Sequence, residues 1–302
     1  MGLLNALPGA VAQGIIWGIM AIGVYVTYKI LDIADLTVDG SITTGAAVCA
    51  VMVTSGCNVW VAMLCALIAG ALAGLLTGLF HTFMGIPAIL SGILTQLILW
   101  SINIKIMGGG YLSFLEESKI LITSYSEDLV RSILITVAFC AVLIAMLYWF
   151  FGTERGCSLR ATGCNMNMSR AQGINTNTNI IIGLMISNGL VALSGALLAQ
   201  YNGYSDVNMG RGAIVIGLAA VVIGEALFSR ISRNFAVRLV GVIAGGIIYF
   251  IVYQVVIFIG LDAELLKMLS AIVVAIFLAV PYWKKKYFTK MKPEKKEENG
   301  DA

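Results

Sequence analysis

Two carboxylates at the edges of long apolar runs are the side chains best placed to do chemistry. An ionisable group inside a membrane is costly and therefore functional by default. Asp39 lies in the stretch Asp35-Leu-Thr-Val-Asp-Gly-Ser41, and Glu225 lies near the end of a later apolar segment. Two plainer interpretations stay open: Asp39 as an N-terminal helix cap, and Glu225 as the partner of Arg230 or a neighbouring arginine. Neither carboxylate falls near the middle of a predicted span, which disfavours proton coupling.

Other chemistry is excluded by missing residues. The chain has no Gly-x-x-x-x-Gly-Lys-[Ser/Thr] loop, so it cannot bind ATP by that route. Its one histidine, His81, cannot build a histidine-based metal cluster or a credible Ser/His/Asp arrangement. We therefore predict no cofactor or metal in this chain. A membrane enzyme acting on lipids is the least favoured class, because nothing nominates its catalytic group.

The elements that must position these residues are membrane helices. Of the 302 residues, 59% are hydrophobic and 12% are charged, whereas a soluble chain is roughly a quarter charged. No Asp, Glu, Lys or Arg occurs across residues 40–104. Since a spanning helix needs about 20 apolar residues, the composition predicts an all-α, polytopic transmembrane helix bundle.

The apolar runs and the basic residues together predict a topology. Placing the lysine-rich C-terminus inside assigns 14 of the 19 Lys and Arg residues to inner segments and five to outer ones. The bundle then has its N-terminus outside and its C-terminus inside. We predict a permease domain over 1–283 and a disordered cytoplasmic tail over 284–302. The nine predicted spans are 8–28, 38–55, 58–80, 86–107, 130–151, 178–200, 211–228, 236–259 and 267–283.

Three further segments carry predictions. The loop 108–129 should lie outside, where it could meet an extracellular partner, and the arginine-containing loop 152–177 should lie inside. The short span 211–228 follows a glycine-rich turn and could enter only part-way, as spans along a substrate path often do. Gly70, Gly74 and Gly78 share one helix face, which predicts close internal packing or, alternatively, a dimer face.

The inner loop carries a family resemblance. It reads Glu154-Arg-Gly-Cys-Ser-Leu-Arg-Ala-Thr-Gly-Cys-Asn165 and then Arg170-Ala-Gln-Gly-Ile-Asn175. These runs resemble the cytoplasmic loop of ABC-importer permeases of the branched-chain amino acid and ribose type. The stretch Gly217-Leu-Ala-Ala-Val-Val-Ile-Gly224 is similar to another segment of that family, which usually continues with Gly where this chain has Glu225. The residues that match the two loop runs are Arg160, Ala161, Gly163, Asn165, Ala171, Gly173, Ile174 and Asn175.

Further stretches narrow the resemblance to a subgroup. Residues 34–41, 87–96 and 101–108 are similar to permeases that work with a substrate-binding lipoprotein in Gram-positive bacteria. Some of those systems are associated with tryptophan or tyrosine uptake. The resemblance covers roughly residues 30–260.

The resemblance implies a fold and a set of partners. The fold would be the vitamin-B12-importer-like permease arrangement, in a homodimer. Two separate subunits that bind ATP and Mg²⁺ would dock on the cytoplasmic side, and the binding lipoprotein would dock outside. A coupling helix would cover 225–235, supported by the 152–175 loop. We assign ATPase coupling to Glu225, Phe228, Arg230, Arg233, Arg160, Gly163 and Gly173, and the translocation path or gate to Asp39, Ser41, Thr43 and Asn188.

The leading hypothesis is therefore a non-enzymatic permease subunit of an ATP-driven importer in a bacterial plasma membrane. Few charges should line its path, so the solute should be small and neutral or zwitterionic: an amino acid, with an aromatic one as a candidate. The alternative is an ion-coupled secondary transporter that uses Asp39 or Glu225. We expect no nucleic-acid partner, because the lysines of the tail fit a solvated cytoplasmic segment.

Overall fold

The computed structural model describes residues 3–114, 122, 129–228 and 234–258, together with 268, 271, 272, 275, 276 and 279. The predicted tail 284–302 lies outside the described residues. Helix α1 continues without a break into a π-helical segment, Val26–Leu31. Within the described residues the elements are α1 (Leu3–Tyr25), α2 (Val38–Thr54), α3 (Val59–Thr82), α4 (Ala88–Met107), β1 (Tyr111–Ser113), α5 (Leu129–Gly152), α6 (Glu154–Cys164), α7 (Met166–Ala171), α8 (Thr176–Asn202), β2 (Tyr204–Asp206), α9 (Ala213–Phe228) and α10 (Phe235–Phe258).

Six of the described helices are long and apolar enough to cross a membrane, which makes the chain a multi-pass membrane protein. Helices α2 and α9 are apolar but shorter. Eight of the nine predicted spans thus coincide with apolar helices, and most of the ninth, 267–283, lies outside the described residues. The six long segments are Leu7–Leu31, Val59–Thr82, Ala88–Met107, Val130–Gly152, Thr176–Asn202 and Phe235–Phe258.

Helix α8 forms the centre of the bundle, because small residues let neighbouring backbones approach it closely. A side chain at Gly45 of α2 would collide with the backbone of Ala192. Side chains at Gly70 and Gly74 of α3 would likewise meet backbone atoms of α8, and one at Gly78 would crowd α8 as well. The glycine face of α3 therefore packs inside the chain, which confirms the internal-packing interpretation.

Helices α9 and α10 form an antiparallel pair built on the same principle. Gly224 of α9 lies against Gly241 of α10, and Gly245 lies against Ala220 one turn away on α9. The pair packs on α1, where Gly14 faces the backbone of Ile247. Because these contacts have no room for side chains, α10 is held closely by both α9 and α1.

One end of the bundle carries a small sheet, and we call it the sheet end. Strand β1 pairs antiparallel with β2, with Leu112 opposite Ser205. Since β1 follows α4 and β2 follows α8, both helices finish at this end. The all-α prediction is right for the bundle but omitted this two-stranded sheet.

The opposite end carries helices α6 and α7, and we call it the α6–α7 end. The prediction of a loop over 152–177 was wrong, because polar residues at helix starts cap two short helices there. Thr153 Oγ1 accepts a hydrogen bond from Gly156 N at 3.3 Å, and Asn165 Oδ1 accepts one from Met168 N at 2.9 Å. Gly163 of α6 then lies directly against the backbone of Ile30 in the π-helical segment.

Candidate translocation path and coupling surface

A buried polar network lies at mid-length of α8. The carboxylate of Asp35 accepts hydrogen bonds from Thr37 N at 2.9 Å and from Asn188 Nδ2 at 2.7 Å. The hydroxyl of Ser41 donates to Asn188 Oδ1 at 2.6 Å. Asn188 also donates to the carbonyl oxygen of Leu184 at 3.0 Å, so its amide is fully used. The structure thus brings together Ser41 and Asn188, two of the residues assigned to the path.

Asp35 itself was missed by the sequence analysis. Its side chain is buried, with 3% of the residue exposed. The expectation that no carboxylate lies deep inside the bundle was therefore wrong. The sequence held a signal, since Asp35 opens the same polar stretch as Asp39 and Ser41. Its partner Asn188 lies 153 residues further along the chain, so no local pattern could link the two.

Asp39 caps a helix to which it does not belong. It lies in the first turn of α2, yet its carboxylate oxygens accept hydrogen bonds from Gly212 N and Ile214 N, each at 2.9 Å. A carboxylate at a helix N-terminus satisfies free N–H groups and offsets the helix dipole. The helix-cap interpretation of Asp39 is confirmed, and the helix that it caps is α9 rather than its own helix α2.

Helix α9 starts at mid-depth of the bundle rather than at one of its two ends. Gly210, just before α9, lies against Asp39 and Thr43 of α2. That part of α2 is level with Asn188, halfway along α8. With 16 residues, α9 is about 24 Å long, shorter than a full span. This agrees with the prediction that the segment 211–228 enters only part-way.

A polar cavity of 310 Å³ opens beside the start of α9. Thr43 Oγ1 at its edge donates to the backbone oxygen of Asp39 at 3.1 Å. The cavity therefore joins two predicted path residues to four polar or aromatic side chains that the sequence analysis did not nominate. Its lining consists of Asp39, Gly40, Thr43, Gln96, Leu97, Trp100, Asn103, Val207 and Arg211.

A larger cavity of 540 Å³ lies between α3, α5 and α8, and its chemistry is different. Its walls are apolar, with Trp60, Phe139 and Met185 among the lining residues. It presents no charged side chain, so it cannot orient a polar solute. We therefore take the cavity beside α9 as the candidate solute site.

At the α6–α7 end, Glu225 forms an ion pair with Lys29. The Lys29 Nζ to Glu225 Oε2 distance is 3.1 Å, and the side chains are 46% and 29% exposed. The π-helical segment presents Lys29 to Glu225, a partner that the sequence analysis did not consider, whereas Arg230 lies outside the described residues. The pair borders a cleft of 380 Å³, to which Phe228 and Arg238 also contribute.

The predicted coupling helix over 225–235 differs from the structure. Glu225 and Phe228 belong to the last turn of α9, and Phe235 begins α10. Arg230 and Arg233 lie outside the described residues.

The family-motif residues of α6 meet the π-helical segment, α5 and α10. The guanidinium of Arg160 lies over the rings of Phe151 and Phe235, at 5.2 and 4.4 Å from their centroids. Such stacking holds a cation against aromatic faces. Gly163 packs on Ile30, whereas Gly173, with a φ of +79° after α7, has open space around it. Arg160 and Gly163 therefore join α6 to the membrane helices.

These features define a class of protein before any comparison is made: a polytopic helical permease with a polar interior site. Among the described residues, no group of three or more His, Cys, Asp or Glu side chains could hold a metal ion. The chain matches the family described as the branched-chain amino acid transport system permease component over residues 7–280. It belongs to that family of ABC-importer permeases, which confirms the resemblance drawn from the loop motif.

The most informative relatives are similar over nearly the whole chain. The tyrosine transport system permease protein of Clostridioides difficile is 39% identical over 279 residues, covering 91% of both chains. An uncharacterized protein of Rickettsia prowazekii is 35% identical, covering 91% of this chain and 98% of its own. The autoinducer 2 import system permease protein LsrC of Yersinia pseudotuberculosis is 28% identical, over 62% of this chain and 54% of its own.

A solved structure supports the fold. PsaBC from Streptococcus pneumoniae, in complex with Fab, superimposes with a TM-score of 0.51 at 17% identity and covers 95% of both chains. Family membership and these relatives identify the chain as a transport permease, which confirms the prediction that it is not an enzyme. The vitamin-B12-importer-like arrangement stays a prediction.

Proposed function

We propose that the chain is the membrane-spanning subunit of an ATP-driven importer of a small neutral or zwitterionic solute. An extracellular binding lipoprotein would deliver the solute, and two cytoplasmic subunits would bind ATP and Mg²⁺. Similarity to the tyrosine transport system permease protein of Clostridioides difficile supports an amino acid, with tyrosine as the first candidate. The unit would be a homodimer in a bacterial plasma membrane.

The observation that carries this proposal is the position of α9. Its first turn is bound by Asp39 inside the bundle, and its last turn carries Glu225, which binds Lys29 at the α6–α7 end. One short helix therefore connects the candidate solute cavity with the proposed coupling surface. A displacement of the end of α9 that carries Glu225 would be transmitted to its start, because packed helices shift as rigid elements.

The distribution of charge supports the proposed orientation. The α6–α7 end carries Lys29, Arg160, Arg170 and Arg238, and the lysine-rich tail would join them if nine spans alternate in direction. Under the positive-inside rule this end is cytoplasmic. The proposed coupling residues Glu225, Phe228, Arg230, Arg233, Arg160, Gly163 and Gly173 then face the side on which ATP is available.

The proposal is tested by reconstitution. The chain is placed in liposomes with its co-purifying ATPase and its binding lipoprotein, and uptake of labelled L-tyrosine and L-leucine is measured. We expect uptake that requires ATP and stops when the ATPase carries a substitution blocking hydrolysis. Uptake that continues without ATP hydrolysis would refute the proposal.

Asp35 favours one competing function. A proton-coupled secondary transporter needs a carboxylate buried inside the bundle, and Asp35 is buried there. In that case Asp35→Asn would abolish uptake driven by a proton gradient in liposomes holding this chain alone. In an ATP-driven importer the same variant keeps uptake, because no proton passes through residue 35. Its single amide oxygen accepts only one of the hydrogen bonds from Thr37 N and Asn188 Nδ2, so the variant is expected to be less stable.

A further inference from the structure

Asn103 of α4 is an unsatisfied polar group at the polar cavity. The residue is completely buried, and neither Nδ2 nor Oδ1 has a hydrogen-bond partner among the described residues. Buried side-chain amides nearly always find partners, so an orphaned amide requires an explanation. Asn103 lines the cavity beside the start of α9, which makes a bound molecule in that cavity the natural partner.

Two charged side chains line the cavity, the carboxylate of Asp39 and the guanidinium of Arg211. Asp39 is neutralised in part by the N–H groups of Gly212 and Ile214, but each carboxylate oxygen accepts only one of these bonds and can accept another. Arg211 directly precedes Gly212, lines the cavity, is exposed, and has no carboxylate within ion-pair distance in the described part of the chain. Among the residues that the structure describes, the cavity therefore offers the carboxylate of Asp39 as an acceptor and the guanidinium of Arg211 as a cation without an ion-pair partner.

The remaining walls select for an apolar group. Trp100 and Leu97 of α4 lie along the cavity together with Val207, and the indole is 45% exposed. Ligand sites commonly combine such apolar surface with a few convergent polar groups, in volumes from about 300 Å³. At 310 Å³ the cavity is suited to one small molecule.

We propose that this cavity binds the solute in transit, and that the solute it takes is a zwitterionic α-amino acid with an apolar or aromatic side chain. The inference rests on the proposed function, because it names the solute class of the same permease. The carboxylate binds Arg211, since charge-assisted hydrogen bonds to guanidinium are strong and directional. The ammonium binds Asp39 and Asn103 Oδ1, and the side chain lies against Trp100.

The test measures binding to this chain alone in lipid nanodiscs, without ATPase or binding lipoprotein. Labelled L-tyrosine is the ligand. The competitors are tyramine, which lacks the carboxylate, and 4-hydroxyphenylpropionate, which lacks the ammonium. We expect saturable binding of L-tyrosine and competition at least about tenfold weaker for either analogue, as the loss of one charge-assisted contact implies. Equal competition by either analogue, or no saturable binding, would overturn the proposal.

Two variants assign the contacts. Asn103→Leu removes an amide that has no partner among the described residues, so it should fold, and it should weaken L-tyrosine binding about tenfold. Arg211→Gln changes an exposed side chain and should abolish discrimination between L-tyrosine and tyramine. Ser101→Ala is the matched control, because this exposed α4 residue does not line the cavity. Unchanged affinity in Asn103→Leu and unchanged discrimination in Arg211→Gln would show that L-tyrosine does not bind in this cavity.

The two proposals fail separately. If the chain binds L-tyrosine with the expected selectivity but uptake does not require ATP, the assignment of the cavity is supported and the proposed importer function is refuted. If ATP-driven uptake occurs while the chain alone binds no zwitterion, the importer function is supported and the assignment of the cavity is refuted.

Discussion

Asp39 of α2 binds the first turn of α9 through a hydrogen bond from Ile214 N to Asp39 Oδ1 of 2.9 Å, across 175 residues of sequence. The contact fixes the start of a short helix inside the membrane, where its free N–H groups would otherwise have no water to bind. It also places the carboxylate at the edge of the polar cavity. Asp39 is thus a structural cap and a candidate path residue at once.

Removing this cap should destabilise the start of α9. We expect Asp39→Ala to lower the free energy of unfolding by about 1 kcal/mol, as for other N-cap losses. Asp39→Asn should cost less, because its amide oxygen still accepts a hydrogen bond. Thermal unfolding in detergent, followed by tryptophan fluorescence, measures both. Equal stability of Asp39→Ala and the wild type would show that the cap is dispensable.

The Asp35–Asn188 pair should be far more sensitive. Asn188→Leu leaves a buried carboxylate without its amide partner, and we expect a loss of about 3 kcal/mol, typical of an uncompensated buried charge. The control is Ser187→Ala on the same helix, which removes one hydroxyl bond to Gly23 O of 2.7 Å and should cost about 1 kcal/mol. Similar losses in the two variants would contradict a special role for the network.

Gly163 should be intolerant of a side chain. Its position against the carbonyl of Ile30 leaves no space for a Cβ, so Gly163→Ala should push α6 away from the π-helical segment. We expect a stability loss of about 1–3 kcal/mol and reduced ATP-dependent uptake. Gly152→Ala is the matched control, because nothing lies within 4 Å of a Cβ added there. Wild-type stability of Gly163→Ala would refute the close contact.

The Lys29–Glu225 pair should matter for coupling more than for stability. Because both side chains are partly exposed, we expect a coupling energy below about 1 kcal/mol in a double-mutant cycle. Lys29→Glu alone should reduce ATP-dependent uptake, since two carboxylates would then face each other. The exchange Lys29→Glu with Glu225→Lys should restore much of it. An exchange variant as poor as the single variant would show that the pair itself is not the relevant contact.

Features that depend on a local stretch of sequence could be predicted, whereas features that depend on contacts between distant residues could not. The spans were predictable because a membrane helix is a local property: residues 40–104 hold no charge, and three apolar helices occupy them. The break between α1 and α2 was predictable for the same reason. Helix α6 was missed because its composition is polar and its caps, Thr153 and Asn165, also fit a loop.

The contacts of the site depend on packing across the whole chain and left no local pattern. Nothing near Asp39 indicates that it caps α9, and nothing near Asn103 indicates that its amide lacks a partner in the described part of the chain. Glu225 was paired by proximity in sequence with arginines, whereas the fold places Lys29 beside it. Ser41 and Asn188 were both assigned to the path, but their hydrogen bond could be found only from the structure.

Charge reversal in the connection between α9 and α10 tests the coupling surface. Arg230 and Arg233 lie outside the described residues, so this prediction comes from the sequence. Arg230→Glu combined with Arg233→Glu should abolish ATP-dependent uptake while the chain still inserts into the membrane. Lys290→Glu with Lys292→Glu in the tail is a control with the same change of charge. Normal uptake by the arginine variant would place the coupling surface elsewhere.

The most direct measurement of the central claim is purification of the tagged chain from mild detergent, with identification and quantification of what accompanies it. The importer account predicts an ATPase that co-purifies in a two-to-two ratio with this chain. A stable, monodisperse chain without any nucleotide-binding partner would contradict it and would favour a carrier that works alone through Asp35.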